Sequence, residues 1–101
     1  MIKSWDTMRD GELNEANMRA KLEAMGYSVD RYVYSPGTVF PDHSHEVDKI
    51  DGVLSGLFRM TMNGRAILLG AGDMLVVPRG EVHSAEVVGD EPVVSLDAVK
   101  V

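Results

Sequence analysis

The rhythm of hydrophobic and polar residues changes once along this chain, at Gly26. Before it, the segment GELNEANMRAKLEAMG, residues 11 to 26, places apolar side chains at Leu13, Ala16 and Ala20 and again at Met18, Leu22 and Met25. Spacings of three and four predict an amphipathic helix, with Gly26 as its stop. Such a helix is expected to pack as a lid on one edge of the domain. After Gly26 no second helical period occurs. Short β-prone runs are punctuated by Gly, Pro, Asn and Asp, which predicts strands near 28–34, 38–42, 49–55, 57–62, 65–69, 74–77, 83–88 and 93–99. Asn63-Gly64, between FRMTM and RAILL, is a strong two-residue hairpin signal; Pro36-Gly37, Gly70-Ala71-Gly72 and Gly89-Asp90-Glu91-Pro92 mark further turns.

So many short strands in so small a chain must close on themselves or form two packed sheets, because long open edges invite aggregation. The expected fold class is therefore all-β, a jelly roll or small barrel with a short N-terminal helix. Residues 1–27 form an N-terminal arm and helix and residues 28–101 the barrel, in one domain overall. Alternation along each strand sends every second side chain inward.

Composition narrows the chemistry. Hydrophobic residues make up 45% and charged residues 26% of the 101, interleaved as in a folded domain. The formal charge is -6 and no Lys/Arg stripe gathers, so a nucleic-acid partner is not expected. No apolar run approaches about 18 residues and no leader pattern opens the chain, so neither a membrane span nor export is expected. The absence of cysteine rules out disulfides and thiolate ligands and fits a reducing compartment; the cytoplasm is the expected location.

Within FPDHSHEVDKIDGVLSG, residues 40 to 56, His43 and His45 are one residue apart. On an extended segment both imidazoles face the same side, about 6.6 Å apart at a rise of about 3.3 Å per residue. They are either an exposed surface pair or the neutral ligands of a shared cation. The chain's third histidine, His83, lies in GDMLVVPRGEVHSAEV after a Pro-Arg-Gly turn and at the start of a strand, where it could join them inside a barrel.

These offsets resemble the cupin family. Its first motif, Gly, five residues, His-x-His, then Glu and Gly, is matched in register by Gly37, His43, His45 and Gly56; its second, Gly, five residues, Pro-x-Gly, two residues, His, by Gly72, Pro78, Gly80 and His83. The resemblance spans roughly residues 28 to 99. It implies a cupin-type jelly-roll barrel in which His43, His45 and His83 hold a divalent transition metal, with Zn, Fe, Ni, Mn and Cu not distinguished.

Two positions depart from the pattern: Lys49 stands where the family carries its Glu ligand, and Val87 where the second motif ends in Asn. The neighbouring pattern resembles the HxHxHEQ-type sugar-acid cupins, with Asp48 under Glu and Lys49 under Gln. The first reading is a three-histidine site completed by water. A local bulge bringing Asp48 round as a fourth ligand is the second. Asp51 could also ligate, but an internal Lys49–Asp51 pair is the preferred expectation for those two.

In VVSLDAVKV, Asp97 resembles the general acid/base that the same subgroup places near its metal; the alternative is a strand-end carboxylate in solvent. Arg31 and Arg59 are alternative substrate clamps or exposed-face arginines. Tyr27, Tyr32, Tyr34, Phe58 and the seven methionines are expected to pack a core or a dimer face, and Trp5 to seal an edge. The resemblance thus implies a small metal-dependent enzyme acting on a small polar molecule such as a carbohydrate acid, by isomerisation, ring opening or oxygen chemistry. The alternative is a noncatalytic metal-dependent sensor module. A homodimer is the expected assembly.

Overall fold

Nine strands and two helices account for the chain in a computed structural model that describes residues 1–101. β1 (Ile2–Ser4), β7 (Asp73–Val77), β4 (Lys49–Ser55), β9 (Val93–Lys100) and β2 (Tyr27–Tyr34) form, in that spatial order, a five-stranded sheet. β3 (Val39–His43), β8 (His83–Val88), β5 (Leu57–Met62) and β6 (Arg65–Leu69) form a four-stranded one. All the pairings are antiparallel, and the two sheets enclose one interior, the expected jelly-roll architecture. No helix is long and apolar enough to cross a membrane.

The hairpin read from Asn63-Gly64 is present. Met62 faces Arg65, and both turn residues are left-handed, with φ of 54° and 72°. Mirror-image turns of this kind match the twist of the flanking strands, and Asn-Gly adopts them at little cost.

The helix is shorter than the apolar spacing suggested. α2 (Glu15–Ala24) follows α1 (Thr7–Asp10) and begins at Asn14, whose side chain accepts from the Asn17 amide at 2.8 Å. Of the two apolar stripes only the one with larger side chains is buried: Met18 and Leu22 are 0% exposed, while Ala16 and Ala20 face solvent. An alanine offers too little area to compete with Met or Leu for the sheet. The helix covers the outer face of the five-stranded sheet, where Val29, Ile50, Met74, Leu96 and Ala98 meet it. Gly52 makes room, since a Cβ there would lie 2.8 Å from the Met18 sulfur. The arm is also structured: β1 pairs with β7, a strand too short for its sequence to announce.

Alternation on β4 and β9 gives the sheet two different faces. Ile50, Leu96 and Ala98 point to the helix, whereas Val53 and Val93 point into the barrel with Phe58, Met60 and Leu75. Lys49, Asp51 and Asp97 share that inward face. At the open end of the barrel, polar groups therefore replace the apolar filling.

Candidate metal centre

The three histidines arrive from three backbone settings. His43 ends β3, His83 opens β8, and the two are paired across the strands. The ladder is irregular between Phe40 and His43, with one more residue on β3 than on β8. Three residues apart on a regular strand, Phe40 and His43 would face opposite sides; the extra residue turns both inward. His45 lies past the end of β3, in a loop rather than the extended strand that the spacing suggested. Its carbonyl accepts from the Gly80 amide at 2.9 Å, which ties this loop to the turn preceding His83.

The ring centroids of His43, His45 and His83 are 4.2 to 5.2 Å apart, and one ligand nitrogen from each lies within 4.8 Å of the others. His43 Nδ1 donates to the Pro41 carbonyl at 2.7 Å and His83 Nδ1 to the Glu81 carbonyl at 2.9 Å. A carbonyl only accepts, so the proton sits on Nδ1 and each Nε2 keeps its lone pair. His45 Nε2 is buried without any hydrogen-bond partner. Burial, then the Lys49 charge and the other two rings, lower the pKa of His45. Burial likewise lowers that of His83, against the bond to Glu81 and together with His43 and Lys49. Three clustered rings, two with Nδ1 committed to carbonyls and one with an orphaned Nε2, fit a divalent transition metal, which prefers such a donor set.

Asp48 does not join them. Its carboxylate accepts from the Arg79 backbone amide at 2.8 Å, outside the cavity, because Lys49 takes the inward position and its predecessor turns away. The Lys49–Asp51 pair is not formed either. Lys49 Nζ reaches diagonally to Asp97 Oδ1 at 2.7 Å, with side chains 12% and 20% exposed. The contact is an ion pair by distance, but its angles are too bent for a directed hydrogen bond, which leaves Asp97 Oδ1 without one. Asp51 lies opposite Asp97 on the adjacent strand, and burial followed by the Asp97 charge pushes its pKa up to about 7.

These groups and the histidines line one cavity of about 230 Å³, whose other wall includes Tyr34, Phe40, Phe58 and Met60. Tyr34, expected only to pack, contributes a hydroxyl kept protonated: burial, then Asp97 and Asp51, push its pKa up to about 12. No signal in one strand says which face closes over a cavity, so the sequence alone points Tyr34 to a core or a dimer face. Arg31 and Arg59 lie elsewhere, on Glu15 at 2.9 Å and Glu86 at 3.3 Å, both in exposed pairs.

Comparison with known proteins agrees with this geometry. Residues 30–99 match the family model described as Cupin domain. Germin-like protein 5-1 of Oryza sativa subsp. japonica is 34% identical over 83 residues, 76% of this chain, and this chain spans 38% of its length. Among solved structures, a predicted oxalate decarboxylase of Thermotoga maritima superposes with a TM-score of 0.67 at 29% identity, covering 78% of this chain and 72% of the other. KdgF of Halomonas sp. does so with a TM-score of 0.66 at 25% identity, covering 75% and 71%. With the family model matched over most of its length and three imidazoles gathered in one barrel mouth, this chain belongs to the cupin family.

Proposed function

We propose that His43, His45 and His83 hold a divalent transition metal and that the protein is a small metal-dependent enzyme acting on a small polar molecule such as a carbohydrate acid. The observation that carries this reading is the buried, unpartnered Nε2 of His45 beside two rings whose Nδ1 protons are already committed. Such a nitrogen costs stability unless something occupies its lone pair. When bound, the metal, one of Zn, Fe, Ni, Mn or Cu, supplies Lewis acidity or redox chemistry at positions the histidines leave open.

The chain's own groups do the rest. Phe40, Phe58 and Met60 exclude water from one wall. Tyr34 donates a hydrogen bond from its hydroxyl. Asp97 is the proton carrier: its carboxylate lines the cavity beside the histidines, with Oδ1 at 2.7 Å from the Lys49 ammonium. Asp51, behind it, is the reserve acid. One observation favours the noncatalytic sensor reading, namely that Lys49 already occupies Asp97. A metal-loaded chain that binds a small carbohydrate acid without turning it over would favour that alternative. The homodimer belongs to the same proposal, supported by Val39, Leu57 and Leu68 exposed on the uncovered sheet.

Metal analysis of protein purified without chelating resin tests the centre. The expected result is about one equivalent in the native chain and almost none in the His43→Ala, His45→Ala double variant. Equal metal in both would overturn it.

A further inference from the structure

The charges that line the cavity do not balance a divalent ion. Imidazoles that ligate a metal do so as neutral rings and contribute no charge, and the other ionisable acids and bases of the lining besides Tyr34 are Lys49, Asp51 and Asp97. With both carboxylates ionised, these three sum to a single negative charge; with a proton shared between them, they sum to zero. Either way a bound divalent cation leaves an excess positive charge in a partly desolvated pocket, where unbalanced charge is costly. A small anion entering the cavity would supply the missing counter-charge.

Lys49 is the group built to receive it. Its side chain is mostly buried, it stands on the inward face of β4, and its ammonium carries three donors. Its one contact is the ion pair with Asp97 Oδ1 at 2.7 Å, which engages one donor and leaves two without a partner. The same ammonium is close enough to act electrostatically on both His45 and His83. With a metal held by the rings, an anion placed between it and Lys49 would meet positive charge on two sides and the Tyr34 hydroxyl on the wall.

We infer that Lys49 is a specificity-determining residue, drawing a small carboxylate onto the open side of the ion held by the three histidines. The inference rests on the metal reading above and adds the class of ligand. The apolar wall of Phe40, Phe58 and Met60 then takes the uncharged remainder of the ligand. Lys49 thus does the opposite of a fourth protein ligand: it leaves a position open and selects for the charge that fills it.

The full chain loaded with Co²⁺ provides the test, because the visible spectrum of the ion reports a new ligand without any turnover. Acetate is the probe and acetamide its neutral counterpart, each titrated spectroscopically and by calorimetry. The native chain is expected to bind acetate at least about tenfold more tightly than acetamide, and K49M to lose about tenfold or more in acetate affinity while keeping Co²⁺. K49M strands two carboxylates, so K49R, which keeps a cation beside them, is measured with it and is expected to retain most of the acetate affinity. Equal affinity of the native chain for acetate and acetamide, undiminished acetate binding by K49M, or a loss in K49R as large as in K49M, would overturn the role of Lys49. Failure of Co²⁺ to bind, or equal binding by the His43→Ala, His45→Ala variant, would instead overturn the metal centre itself.

Discussion

The two faces of β4 and β9 are unlike in chemistry. Outward, Ile50, Gly52, Leu96 and Ala98 are apolar and sealed by Met18 and Leu22 of the helix. Inward, two residues away at most, Lys49, Asp51 and Asp97 face a cavity with three histidines. The outer layer gains free energy from every side chain it buries. The inner layer gives some back, because it holds ionisable groups that water would solvate better. One pair of strands therefore anchors the fold with one face and builds the site with the other. Polar groups can be held this firmly inside only because the helix side supplies the adhesion.

That contrast can be broken from either side. The largest effect is expected from Leu22→Ala, which empties a fully buried position in the outer layer: unfolding in urea should show a loss of about 2–5 kcal/mol, with metal affinity unchanged in the folded protein. A parallel fall in metal affinity would mean that the two layers are not independent. Asp97→Asn acts on the inner layer alone. Removing the Lys49 counter-charge should cost about 2 kcal/mol of stability, and turnover should fall by roughly 10²-fold or more if Asp97 carries the proton.

The smallest effect concerns Asp51, and its sign follows from the direction of its shift. Its folded pKa is raised to about 7 from 3.8, so the folded chain holds the proton more tightly than the unfolded one. The stability this contributes is complete below the unfolded pKa, declines through the interval up to about 7, and is gone above it. Asp51→Asn should abolish that decline. In metal-free protein, the stability of the variant relative to native is expected to climb from pH 4 to pH 7 and then level. A constant difference across that range would show that Asp51 does not carry the proton.

Local chemistry made much of the fold legible. Asn63-Gly64 specifies its own turn because both residues tolerate positive φ, and strand runs such as FRMTM and RAILL needed only that turn to pair. Met18 and Leu22 were recognisable as a stripe, though not as the only buried one, since burial depends on what the helix meets. β1 escaped notice: three residues carry too few alternations to register, and Ile2–Ser4 is a strand only because the β7 edge accepts it. In the site, the three histidines were identifiable by number and spacing, but not the loop setting of His45 or the outward turn of Asp48.

By itself the sequence determined which residue types were available: three imidazoles and no thiol, a charge pattern unsuited to polyanions, turn residues at the hairpin, and a lysine where a carboxylate ligand was expected. Only the tertiary structure decided how those groups combine. Whether Lys49 meets Asp51 on its own strand or Asp97 on the next depends on strand pairing and diagonal reach, quantities set across sheets rather than along the chain. The bulge that turns His43 inward and the bond from Gly80 that seats His45 are long-range as well. Local preference chooses conformations; only packing chooses neighbours, and a metal centre is made of neighbours.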